Sequence, residues 1–331
     1  MIAANLPNLL QSFFTDRLMQ QRRASPNTIA SYRDTFRLLL RFAVHRLGGP
    51  PSKLELEQLD ASFIAEFLEH LEEKRGCSAR TRNTRLAAIR SFFQYVALNE
   101  PAYALLCQRV LAIPNKRFER RPIEFLHGDE VDALLKAPDG ATWTGRRDRT
   151  LLLVAIQTGL RVSELIGLRC KDVILGRGAH VRCDGKGRKL RSTPLRKDAE
   201  LALTAWLRER NGGNDEVVFP SIRGGPLSRD AVERLVAKHT ATAATRCATL
   251  KNKRVTPHTL RHSAAMDLLQ HGVDRSVIAL WLGHEQVETT QMYLHADMRL
   301  KEEALRHTTP TGAPPTRYRP GDDLLSFLEG L

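Results

Sequence analysis

Six side chains of a 331-residue chain could act together on a phosphate. Arg161 lies in TGLRVSEL (158–165), Lys186 in DGKGRK (184–189), His258 and Arg261 in TPHTLRHS (256–263), and His284 and Tyr293 in LGHEQVETTQMYLHA (282–296). Taken singly, each has an ordinary reading. Arg161 can pair with Glu164 on the surface, Lys186 can be a solvated turn lysine, His284 a helix cap and Tyr293 a core aromatic. A tyrosine is a poor nucleophile near neutral pH, because its reference pKa is about 10. Taken together they have a chemical sense. Phosphoryl transfer is mostly positioning plus neutralisation of charge on the non-bridging oxygens. Two guanidiniums grip phosphate oxygens in bidentate fashion and stay charged. Imidazoles hydrogen-bond the phosphate and move protons near neutral pH. A lysine can protonate a leaving alkoxide, and a tyrosine can hold the phosphoryl group as a diester. No metal or other cofactor is then expected. His258 and His262, at i and i+4, resemble a zinc pair, but no glutamate follows the first and no third ligand is evident.

Those residues need elements to hold them. Pro257 suits the first position of a helix over 257–270, placing His258 and Arg261 in its first turn on one face. A helix N-terminus beside a cation is a natural anion site. Asp148 to Gln157 reads as a helix that Gly159 stops, leaving Arg161 between two helices. The run 179–195 reads as a β-hairpin turning at Asp184-Gly185, with Lys186 at its tip. Further helices are expected near 129–136, 199–209, 228–243, 275–282 and 288–296. Upstream, the first hundred residues read as four helices, at 9–19, 28–46, after Asp60, and 79–98. In the second, Ile29, Tyr32, Phe36, Leu39, Leu40 and Val44 form the apolar stripe, and Asn27 or Thr28 is the expected cap. The fourth carries Leu86, Ile89, Phe92, Phe93 and Val96 inward and Arg80, Arg82, Arg85 and Arg90 outward. No acidic residue lies between Ala79 and Asn99. Like charges repel, so these arginines point to an anionic partner.

PNKRFERRP, 114–122, is basic and bracketed by prolines, and reads as a linker whose Lys116 and Arg117 can lie along a phosphate backbone. The expected organisation is a helical domain over 1–113, the linker, a mixed α and β domain over 123–307, and a flexible tail over 308–331 that ends in the short amphipathic DDLLSFLEGL.

Charge agrees with this chemistry. The formal net charge is +14. Lys and Arg outnumber Asp and Glu 19 to 11 up to residue 122 and 32 to 26 beyond it, so both halves are basic. Nucleic acid is the commonest partner for such a chain. Five cysteines without C-x-x-C spacing argue against a disulfide framework or cysteine zinc site and fit a reducing cytosol. No signal peptide and no 18-residue apolar run are evident, so no membrane role is expected.

GLRVSEL, GKGRK, HTLRHS and LGH…TTQMYLH resemble the motifs of the tyrosine recombinase (phage integrase) family, over nearly the whole chain. The family pattern of Arg, Lys, His-x-x-Arg, His and Tyr is matched by Arg161, Lys186, His258 with Arg261, His284 and Tyr293. Ala264-Ala265, where many members have a bulkier aromatic, is a minor departure. The resemblance implies a mainly α fold with a small β-sheet or hairpin: a SAM-like core-binding domain and an α+β catalytic domain forming a C-shaped clamp on DNA. It implies that Arg161 and Arg261 clamp the scissile phosphate, His258 transfers protons and His284 bonds a non-bridging oxygen. Lys186 would reach the minor groove and protonate the departing 5′-hydroxyl, with Arg188 and Lys189 beside it on the DNA. Tyr293 would form a 3′-phosphotyrosyl link. Glu164 would support the site and His262 would be structural. Partners would be double-stranded DNA with inverted-repeat core sites and three further copies in a tetramer, with the tail packing on a neighbour. A second recombinase or accessory protein is another implied partner, and the cytoplasmic nucleoid the implied location. The resemblance leans to mobile-element integration and excision, reading core sites only. Alternatives are an Xer-type chromosome or plasmid dimer resolvase, a type IB topoisomerase, and a non-catalytic DNA-binding regulator on the same fold. The intact set of six positions weighs against the last.

Overall fold

Helices account for most of the computed structural model, which describes residues 5–119, 123–184 and 190–283. The chain divides into two units, 1–120 and 121–331. Unit 1 contains α1 (Leu6–Ser12), α2 (Pro26–Leu47), α3 (Ala61–Glu73), α4 (Ala79–Asn99) and α5 (Ala104–Leu111). Four were expected, and α5 was not. Residues Phe13–Gln21, expected to continue the first helix, form a π-helix instead. Its i→i+5 bonding lets Phe13 and Leu18, five residues apart, share the buried face. The Phe13 ring then packs among Phe14, Tyr32, Phe36, Phe92 and Tyr95.

Ser25, not Asn27 or Thr28, caps α2: its hydroxyl accepts from the Thr28 N–H at 3.2 Å, with Pro26 in the first turn. The inner stripe of α2 is Thr35, Phe36, Leu39, Phe42 and Ala43. Ile29 and Val44 sit at its half-buried margin. On α4 the five expected core residues are all buried, and Ala88 with them.

Unit 2 contains α6 (Gly128–Leu135), α7 (Trp143–Thr158), α8 (Val162–Gly167), β1 (Val173–Ile174), β2 (His180–Asp184), β3 (Leu190–Pro194), α9 (Lys197–Arg210), α10 (Arg229–Ala243), α11 (Pro257–Gln270) and α12 (Arg275–Leu282). Every residue of α7 from Thr150 to Thr158 is buried, which makes it the axis of the unit. It starts earlier than its apolar pattern, because the Thr142 hydroxyl accepts from the Gly145 N–H at 3.0 Å.

The expected hairpin is the antiparallel pair β2–β3, extended by β1 on the outer side of β2. Its turn differs from expectation. Asp184 is the last paired residue of β2, opposite Leu190, so Asp184-Gly185 is not a two-residue turn. Residues 185–189 join the strands and lie outside the described residues, as do the expected helix 288–296 and the tail. Among the described residues no helix is long and apolar enough to cross a membrane.

Candidate active site

Three chain reversals in unit 2 bring the expected arginines together. Gly159 ends α7 with a left-handed φ of +62°, Leu160 is buried, and Arg161 takes the extended N-cap position of α8. Thr256 caps α11 by accepting from the Thr259 N–H at 3.2 Å. That start places His258 on the exposed side, while Arg261, one turn in, is only 5% exposed. Gly283 ends α12 with φ +63°.

The arginines meet at that last end. Arg261 donates to the Gly159 carbonyl at 2.5 Å and the Leu282 carbonyl at 2.6 Å. Arg161 donates to the Gly283 carbonyl at 3.0 Å. The final carbonyls of a helix lack intrahelical partners and carry partial negative charge, so two guanidiniums suit them. His284 follows directly. His284, Tyr293, Lys186, Arg188 and Lys189 lie outside the described residues.

Glu164 holds Arg161 in place. Its Oε2 accepts from the Arg161 backbone N–H at 2.8 Å and its Oε1 from the Arg161 guanidinium at 2.8 Å. Arg161 and Glu164 are thus paired, but the carboxylate side chain is only 5% exposed, so this is no ordinary surface pair.

A third guanidinium, Arg191 on β3, donates to Glu164 Oε2 at 2.8 Å. Sequence reading passed over Arg191. Its signal is strand parity: Cys183 and Val181 on β2 face Arg191 and Thr193 on β3, and all four are buried. Reading a two-residue turn put the register elsewhere. Burial pushes the Cys183 thiol pKa up, against the pull of the Arg191 guanidinium. Among the described residues, three guanidiniums and one carboxylate meet at this end of unit 2, a surplus of positive charge. Among the described residues no group of three or more His, Cys, Asp or Glu is placed to hold a metal ion.

The His262 ring stacks near that of His258, with centroids 6.4 Å apart. Burial, the nearby His258 and Arg261 together push the His262 pKa down from 6.5 to about 4. Between these values the unfolded chain binds a proton that the folded one refuses. His262 therefore costs stability as pH falls through that window and costs nothing above it. Replacing His262 with Asn should flatten the decline of Tm between pH 6.5 and 4; an unchanged slope would remove His262 as its source.

The basic residues of unit 1 divide. Arg80 and Arg117 are exposed. Arg85 is half-buried, and its Nε has no partner among the described residues. Arg82 and Arg90 reach back to the chain. Arg82 donates to the Pro114 carbonyl at 2.8 Å and lies 4.0 Å from Glu72, and Arg90 donates to the Ile113 carbonyl. Asn83 exchanges two hydrogen bonds with the Lys116 backbone, at 2.8 and 3.0 Å, and the Lys116 ammonium pairs with Glu72 at 3.2 Å. The acidic partner missing from the helix's own sequence is supplied by α3, and residues 113–116 are strapped onto α4.

Comparison with known proteins agrees with both units. Residues 124–299 match the phage integrase family, and residues 12–99 match the phage integrase N-terminal SAM-like domain. A Sinorhizobium fredii protein provisionally named integrase/recombinase y4rC is 55% identical over 328 residues, 99% of each chain. The tyrosine recombinase XerD of Yersinia pestis is 34% identical over 313 residues, 91% of this chain and 97% of its own. Among solved structures, the Tn1549 transposon integrase in complex with transposon right end DNA superposes with a TM-score of 0.71 at 17% identity, covering 92% of this chain and 100% of that one. XerH recombinase bound to palindromic difH substrate, in a post-cleavage complex, gives 0.69 at 24% identity, covering 89% and 84%. The arginines converge on the segment that leads to His284 and Tyr293, and both units are matched in their order along the chain, which belongs to the tyrosine recombinase (phage integrase) family.

Proposed function

We propose that this protein cuts and rejoins DNA strands at specific sites through a transient 3′-phosphotyrosyl link, within a tetramer that holds two sites together. The observation that carries the reading is the convergence of Arg161 and Arg261, with surplus positive charge, on the two carbonyls that precede His284. A phosphodiester is the anion this arrangement suits. The guanidiniums would neutralise its non-bridging oxygens, with His258 and His284 adding hydrogen bonds. The Tyr293 oxygen would attack phosphorus, passing its proton to His258, as the bond to the 5′-oxygen breaks, and Lys186 would give that oxygen its proton. The 5′-hydroxyl of a partner strand would later reverse the step and release the tyrosine. Arg80, Arg85 and Arg117 would lie on the DNA backbone. Arg82, Arg90 and Lys116 would set the course of the linker.

Integration or excision of a mobile element is supported by the 55% identity to y4rC, which carries an integrase name. A dimer-resolving role is the second reading, supported by the 34% identity to a XerD.

The test uses a duplex nicked beside the cleavage point, so that the freed oligonucleotide diffuses away. The protein, in EDTA, is expected to become covalently joined to the 3′-phosphate end at the break, with the link mapped by peptide digestion to Tyr293. No adduct, or one at Tyr318, would overturn the assignment.

A further inference from the structure

Arg191 is a buried cation without an assigned task in the reaction. It is 9% exposed, and among the described residues, apart from a contact with the Cys183 thiol, its Nε and one terminal nitrogen have no hydrogen-bond partner. Burying a guanidinium with unmatched N–H groups is unfavourable, so a purely structural residue here would more simply be apolar. Three observations say what the charge does. Its other terminal nitrogen holds Glu164 Oε2 at 2.8 Å, and the same oxygen receives the Arg161 backbone N–H. The unmatched terminal nitrogen faces Gly283 so closely that a Cβ there would lie 2.6 Å from it. Its backbone sits on β3, immediately after the 185–189 connection that carries Lys186.

We propose that Arg191 is a positioning residue for strand cleavage. It locks Glu164, and through it the Arg161 guanidinium. It also sets the start of β3 against the Gly283 turn, whose carbonyl Arg161 holds. With Arg191 gone, Glu164 keeps only Arg161 among the pairs seen here, and the carboxylate is free to draw that guanidinium off the phosphate. The inference rests on the proposed phosphotyrosyl chemistry.

The test measures single-turnover adduct formation on the nicked duplex, DNA affinity and Tm for the full chain, Arg191→Met, Arg191→Lys, and each combined with Arg161→Lys. A misplacement of about 1 Å costs on the order of 10²-fold in rate. Arg191→Met is therefore expected to slow adduct formation by roughly 10- to 100-fold, with affinity within about threefold. Arg191→Lys should recover part of that loss, because a cation remains beside Glu164. In the Arg161→Lys background the Arg191→Met loss should shrink, since the two act through one contact. Unchanged rates would overturn the proposal. So would rate and affinity falling together, or a full loss in the Arg161→Lys background, since each marks general damage to the fold. If the unaltered protein forms no adduct, the proposed function itself falls, and this inference with it.

Discussion

Arg261→Met is expected to slow phosphotyrosyl formation by about 10²- to 10³-fold, the usual loss when one preorganised donor to a developing oxyanion is removed. The structure gives a reason to expect the upper end. Arg261 would serve the phosphate, and it also joins the end of α7 to the end of α12 through the Gly159 and Leu282 carbonyls. Methionine fills the buried volume but leaves two carbonyls without those donors, each costing about 1–3 kcal/mol. Thermal unfolding should therefore fall with the rate. Arg261→Lys separates the two effects. A lysine keeps the charge but lacks the planar fork that spans two acceptors. It should recover more stability than rate. If Arg261→Met cleaves within tenfold of the unaltered protein, Arg261 does not face the phosphate and its role is confined to tying the helices.

The individual positions differ in how readily sequence disclosed them. The α4 core stripe was legible because five large apolar residues repeat at helical spacing against a polar background. Arg161 and Arg261 were legible as candidates because short motifs name residue types suited to a phosphate, and Glu164 because the resemblance gives that position a supporting place. What stayed hidden depended on contacts distant in sequence. Arg82 and Arg90 reach the Pro114 and Ile113 carbonyls across 32 and 23 residues, so the basic run at 79–99 looks unpartnered in its own sequence. Arg191 is indistinguishable from a surface strand arginine until the register with Cys183 is known, and a two-residue turn at Asp184-Gly185 would set a different register. The π-helix is invisible to a reading based on helical spacing, because Leu10, Phe13, Phe14 and Leu18 satisfy an α-helical stripe equally well. Ala264 is half of the Ala264-Ala265 departure from the family pattern. It lies against the end of α7, where a Cβ on Gly159 would come within 3.3 Å of its own Cβ.

That crowding makes Gly159 more than a helix stop. Its φ of +62° alone disfavours any other residue, by about 1–2 kcal/mol. A methyl group there would also lie 2.5 Å from Leu282 Cδ2, and Leu282 is fully buried. Displacing a packed core leucine adds roughly 1–3 kcal/mol. Gly159→Ala is therefore expected to destabilise the protein by about 2–5 kcal/mol in denaturant unfolding, the sum of those two contributions. Gly176 is the control: its φ is +87°, and an added Cβ would meet nothing within 4 Å. Gly176→Ala should show only the backbone contribution. In a Leu282→Ala background, itself destabilised by its cavity, the Gly159→Ala cost should fall toward that same smaller value, because the overlapping atom is gone. The effect should reach the chemistry as well. Leu282 precedes the Gly283 carbonyl that Arg161 holds, and Arg261 holds its own carbonyl, so pushing it outward moves both acceptors away from their guanidiniums. Gly159→Ala should slow adduct formation even at temperatures where it is folded, and Gly176→Ala should not. Equal stability and equal rates in the two alanine variants would show that the ends of α7 and α12 are not locked together, and the close approach at Gly159 would lose its meaning for the site.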